Sequence, residues 1–98
     1  MDDNEYNSIV QETLENLGDW LEQVTSWEVD VLDGVLSIST NNGEYIINRH
    51  RPSLKIWLSS PLSGPNYFAY AQIDSNWYDD NGIELSKFIS TELGITKL

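Results

Sequence analysis

Between residues 4 and 25 apolar side chains recur at helical spacing, at Tyr6, Ile9, Val10, Leu14, Leu17, Trp20, Leu21 and Val24. At about 100° per residue they occupy an arc of roughly 140°, while Glu5, Glu12, Glu15, Asp19 and Glu22 fall within about 100° on the other side. The pattern predicts one amphipathic helix carrying a carboxylate ridge. Gly18 interrupts it at a cost of up to about 1 kcal/mol relative to alanine, too little to overturn about six turns of periodicity.

Past this helix the period changes to two. Residues 28–31 alternate, Asp33-Gly34 is a turn signal, residues 35–39 alternate again, and Asn41-Asn42-Gly43 marks a second tight turn before a strand at 45–48. Pro52 ends that strand, 54–59 begins another, 61–65 reads as a loop, and 67–70 and 76–78 supply further strand signals. Such short connections favour antiparallel pairing. A closing helix is expected over 83–93, with Leu85, Phe88, Ile89 and Leu93 on one face and Gly94 as its C′ cap.

Each helix has a single apolar stripe, so both should cover the same sheet face. The expected fold class is α+β: a two-layer α-β sandwich of one domain, residues 1–98, with N- and C-terminal helices packed on one face of a five- to six-stranded antiparallel sheet. The opposite face is then left to solvent. Ile56 and Leu58 share one side of their strand and Trp57 lies on the other. Burying the two aliphatics therefore puts Trp57 on the open face, where it either packs against a neighbouring strand or a Lys stem, or serves as a partner-binding anchor.

Charge sharpens this outline. The net charge is −11, and ten acids (Asp2, Asp3, Glu5, Glu12, Glu15, Asp19, Glu22, Glu28, Asp30 and Asp33) fall in the first third of the chain, which has no basic residue; the first is Arg49. A surface of this sign repels phosphate, which argues against nucleic acid and against an anionic membrane as partners. No apolar run approaches the ~20 residues of a membrane span, and acids rather than a basic leader follow Met1. The absence of cysteine excludes disulfides, thiolate metal sites and Cys nucleophiles. Four Trp, five Tyr and two Phe indicate a folded core rather than an acidic disordered tail.

The ridge has its own chemistry. Glu12/Glu15, Glu15/Asp19 and Asp19/Glu22 are spaced i,i+3 or i,i+4, so each pair can share one hard cation, such as iron, Mn²⁺, Mg²⁺ or Ca²⁺. One reading is a merely solvated helix face. The other is a site for a cation or a basic protein surface, because no Lys or Arg relieves the like-charge repulsion of a few tenths of a kcal/mol per pair. No His–carboxylate pair, nucleophile elbow or phosphate loop is present, and Ser59-Ser60 and Ser63-Gly64 read as loop residues. His50, the single histidine, lies between Arg49 and Arg51, where positive charge disfavours metal, so a surface role is expected.

The stretch Tyr45-Ile46-Ile47-Asn48-Arg49, followed by Lys55-Ile56-Trp57-Leu58-Ser59-Ser60-Pro61 and Ser63-Gly64-Pro65, closely resembles the signature of the frataxin family, called CyaY in bacteria. Glu12-Thr13-Leu14-Glu15, Gly34-Val35-Leu36, Asn76-Trp77 and Gly82-Ile83-Glu84-Leu85 extend the resemblance over nearly the whole chain. It implies a frataxin-like two-layer sandwich and a role in iron–sulfur cluster biogenesis. In that role the domain binds iron weakly and docks on the complex of a cysteine desulfurase with its scaffold protein, modulating sulfur transfer or iron delivery. By the same resemblance Glu12, Glu15, Asp19, Glu22 and Asp30 are expected metal ligands, and Asn48, Arg49, Lys55 and Trp57 are expected to face the partner.

The chain departs from the family pattern at His50, where Gln is usual, and at Asn66-Tyr67, where many eukaryotic members carry a basic residue after Ser-Gly-Pro. Only Ile95 to Leu98 follow the last helix, which leads to an expectation of low thermal stability, with melting not far above ~65 °C. The leading expectation is a monomeric, non-enzymatic iron-responsive regulator. The alternatives are an iron chaperone that forms iron-induced oligomers and a ferroxidase acting at the ridge. Met1 without a leader suggests the bacterial cytoplasm, and the Ser-Ser-Pro-Leu-Ser-Gly-Pro run suggests a mitochondrial matrix form.

Overall fold

The computed structural model describes residues 1–95; the tail on which the stability expectation rests lies largely outside them. Helix α1 spans Asp3–Val24 and starts where the Asp2 carboxylate accepts the Glu5 N–H at 2.8 Å, an N-cap reinforced by Asp3 and Glu5 in the positive first turn. Six strands follow in chain order: β1 (Glu28–Leu32), β2 (Val35–Thr40), β3 (Gly43–His50), β4 (Lys55–Ser60), β5 (Gly64–Ala71) and β6 (Asn76–Tyr78). Helix α2 (Leu85–Leu93) closes the described chain, ended by Gly94 in the left-handed conformation.

Every strand pairs antiparallel with its chain neighbour, giving the order β1-β2-β3-β4-β5-β6. Both helices lie on one face of this sheet, over a core that includes Tyr6, Val10, Leu14 and Leu21 from α1 and Leu36, Ile38, Tyr45, Ile47, Ile56, Leu58 and Phe68 from the sheet. Leu85 and Ile89 supply the α2 side, and Phe88 meets Phe68 edge-on at 5.4 Å. Three long-range hydrogen bonds pin α1 to this core. Trp77 Nε1 donates to Thr13 Oγ1 at 3.1 Å, and Tyr6 Oη both donates to the Lys55 carbonyl at 2.6 Å and accepts the His50 N–H at 3.0 Å.

Three expectations from the sequence are corrected. Ser59-Ser60 ends β4 instead of opening a loop: Ser60 is buried, its hydroxyl donates to Glu92 of α2, and it accepts the Leu62 and Ser63 N–H groups. Strand β5 begins at Gly64, so the expected loop shrinks to a turn. Helix α2 begins at Leu85, not Ile83, because Glu84 acts as its N-cap, accepting the Ser86 N–H at 3.0 Å, while Ile83 stays outside the helix, bonded to Asp79. Glu92 ties the end of α2 to the sheet: it accepts from Tyr45 Oη at 2.9 Å and Ser63 Oγ at 2.8 Å as well as from Ser60.

Candidate functional site

The acidic ridge is held against the sheet edge by a single small residue. A β-carbon on Gly18 would approach Val31 Cγ2 to 2.7 Å, so only glycine lets α1 come this close to β1. As a result Glu15, Asp19 and Glu22 stand beside Val29, Asp30 and Val31, and these six residues line one shallow, open cleft. Four of the five expected ligands thus come together. Glu12 does not join them: it lines a separate hollow with Asn16, Trp20, Asn76 and Glu84.

Among the described residues no group of three or more His, Cys, Asp or Glu converges closely enough to hold a metal ion. The cleft is therefore a cluster of exposed carboxylates that would leave most of a cation's coordination shell to water. Glu15 also accepts a hydrogen bond from Gln11 Nε2 at 2.9 Å. Glu22 occupies the last turn of α1, which itself contains no basic residue to offset the negative end of the helix dipole.

On the opposite side of the sheet the strand register builds a straight row. Leu32 lies opposite Val35, Val35 opposite Asn48, Asn48 opposite Trp57, and Trp57 opposite Tyr67. The row crosses five strands and ends in exposed side chains on both flanks, Leu32 at 66% and Tyr67 at 43%. His50 pairs with Lys55 in register and sets its ring edge-on to Tyr67 at 5.2 Å. Two polar atoms in the middle of the row, Asn48 Oδ1 and Trp57 Nε1, are buried without a hydrogen-bond partner among the described residues.

Asn48, Lys55 and Trp57 share the open face, where alternation places Trp57. Arg49 does not. It lies opposite buried Ile56, and its guanidinium turns to the helix side, donating to Asn7 Oδ1 at 3.4 Å and to the Asp33 carbonyl at 3.3 Å. One position along a strand reverses the face, so Arg49 is not a neighbour of Trp57 on this surface. Leu32, Val35 and Tyr67 are additions to the expected set, because only cross-strand register brings them into line with Trp57.

Residues 1–96 match the model of the frataxin-like domain. The mitochondrial frataxin of Dictyostelium discoideum is 38% identical over 100 residues, which cover 94% of this chain and 52% of the relative; the chain thus spans about half that relative's length. Among solved structures, the frataxin of Psychromonas ingrahamii superposes with a TM-score of 0.84 at 24% identity, covering 95% of this chain and 89% of the other, a likeness of fold. The trimeric frataxin of Saccharomyces cerevisiae with its full-length N-terminus gives 0.77 at 31% identity, over 88% and 76%. A trimeric yeast frataxin complexed with ferrous gives 0.70 at 28% identity, over 96% and 86%.

Proposed function

The chain belongs to the frataxin-like family, and from that premise we propose that it is an iron-binding regulator of iron–sulfur cluster assembly. In this reading it docks on the complex of a cysteine desulfurase with its scaffold protein and modulates sulfur transfer. The observation that carries the reading is the pair of buried, unpartnered atoms on the open face, Asn48 Oδ1 and Trp57 Nε1. Each costs about 1–3 kcal/mol where it stands. Such groups call for an explanation, and the one proposed is that this face rearranges on docking so that a partner satisfies them.

Asn48, Lys55 and Trp57 form the scaffold-facing surface in this proposal, with Leu32, Val35 and Tyr67 widening it; Arg49 contributes only from the helix side. The ridge serves two partners of one sign. Glu15, Asp19, Glu22 and Asp30 hold iron weakly, as cargo, with Glu12 as an outlying position, and the same acids steer a basic patch of the desulfurase into place. Hard ions such as Mn²⁺ or Mg²⁺ compete, because open carboxylates select poorly. The setting is mitochondrial-type by likeness to the Dictyostelium relative. Among the described residues no helix is long and apolar enough to cross a membrane.

A pull-down with desulfurase and scaffold tests the reading, comparing the native chain with Trp57→Ala and with Glu15→Lys/Asp19→Lys. Both variants should lose binding, the second more at low salt. Equal capture of all three would end the docking model.

A second reading, an iron chaperone that assembles on loading, is favoured by the ferrous-complexed trimer of the yeast relative. It predicts oligomers that grow with added Fe²⁺ in the absence of any desulfurase. Ferroxidase action is less well supported, since no three carboxylates converge to hold a reacting metal centre among the described residues.

A further inference from the structure

Among the described residues strand β1 pairs on one side only, with β2, and is the edge of the sheet beside the acidic cleft. The β1–β2 connection is a two-residue turn with positive φ at both Asp33 (53°) and Gly34 (75°), the type I′ geometry. Such a turn makes Leu32 and Val35 a hydrogen-bonded pair. The alternation of an antiparallel ladder then makes Asp30–Ser37 and Glu28–Ser39 hydrogen-bonded pairs too. The N–H and C=O groups of Val29 and Val31 are left pointing outward, away from the sheet.

Those outward groups open into the cleft, which Val29 and Val31 line together with Glu15, Asp19, Glu22 and Asp30. An extended chain laid against them would place alternate side chains toward Glu15, Asp19 and Glu22 on one face and toward Glu28 on the other, with Asp30 at the rim of the cleft between them. All of these acids are exposed. We infer that this edge is a strand-addition site for an extended basic segment of a partner protein, which pairs its backbone with Val29 and Val31 while its Lys or Arg side chains meet Glu15, Asp19 and Glu22.

Charge selects the occupant. A second copy of this chain, at −11, would bring Glu28 and Asp30 against the same acids, and like charges on an edge are a means of preventing self-pairing. A basic strand meets no such barrier. The inference rests on the ridge as a surface for basic partners, and it adds backbone pairing as the mode of recognition.

The test uses a blocked octapeptide alternating Lys with Thr, and the same peptide backbone N-methylated throughout, which keeps every charge and removes every backbone donor. With the full chain, the unmethylated peptide should slow amide exchange at Val29 and Val31 and bind at least about tenfold tighter than its methylated form. Equal affinity of the two peptides, or binding without protection at Val29 and Val31, would overturn the inference. So would a self-associated form of the chain that protects the two amides with no peptide present, which assigns the edge to a second copy. A pull-down that still responds to Trp57→Ala and the ridge reversals would leave the proposed function standing when the strand-addition mode has failed.

Discussion

A β-carbon placed on Gly18 would stand 2.7 Å from Cγ2 of Val31. Helix propensity alone favours Gly18→Ala by about 1 kcal/mol. Overpacking against a strand backed by β2 opposes it by about 1–3 kcal/mol. We predict that Gly18→Ala lowers stability in urea by roughly 1 kcal/mol, and that the same change made in a Val31→Ala background is neutral or stabilising. Equal effects in the two backgrounds would show that the contact does not set the helix–strand spacing.

Tyr6 should limit stability at alkaline pH. Burial, above all, raises its phenol above the ordinary value of 10.0, against a lowering by the His50 N–H it accepts. Burial likewise raises Tyr45, and the Glu92 carboxylate adds to the shift. The folded state therefore holds these protons more tightly than the unfolded chain. Their contribution is fully present below about pH 10 and is lost as pH rises through the folded values. Tyrosinate absorbance should appear together with loss of tertiary structure above that pH. Tyr6→Phe, which removes the bond to the Lys55 carbonyl, should cost about 1–2 kcal/mol at neutral pH and flatten the alkaline limb.

Glu92 is the acceptor for three hydroxyls, from Tyr45, Ser60 and Ser63. Its removal strands the Tyr45 and Ser60 hydroxyls against the core. Glu92→Ala should destabilise by about 1–3 kcal/mol, and Glu92→Gln, which keeps one acceptor oxygen, by less. Thermal melts of the two variants check the order. A Glu92→Ala protein as stable as the native one would mean that the loop after β4 is held by its backbone alone.

Metal binding should report the division of the ridge. Glu15, Asp19, Glu22 and Asp30 share one cleft and Glu12 lies in another hollow, so titrated Mn²⁺ should broaden the resonances of residues 15, 19, 22 and 30 well before those around residue 12. Glu15→Gln/Asp19→Asn should weaken the effect by about tenfold, and Glu12→Gln should leave it nearly unchanged. Broadening centred on Glu12 would contradict the division.

Periodicity was enough to place α1, its ridge and the open-face position of Trp57, because each follows from side-chain direction within one element. What it missed depends on two elements at once. The face taken by Arg49 follows from where alternation places it in β3, but its contact with Asn7 requires α1 to lie above. The row from Leu32 to Tyr67 exists only once four registers are fixed. Ser60 looked like a loop serine because the acid that buries it, Glu92, is remote in the chain. Gly18 registered as a helix defect, and only the position of Val31 shows why it is there. Glu84 carries no cap signal in the sequence, because glutamate is not among the preferred N-cap residues.

The sheet's one-after-another strand order also has a kinetic side. Each pairing closes a short loop, so the strands can zip up in the order they are made. The N-terminal helix has the opposite problem: Thr13 must wait for Trp77, 64 residues later, before the bond that clasps helix and last strand can form. During synthesis the apolar stripe from Tyr6 to Leu21 is thus available first and fully clasped only once β6 has been made. The run of acids on its far side, with no basic residue among them, gives that waiting helix a solubilising charge in every chain not yet complete.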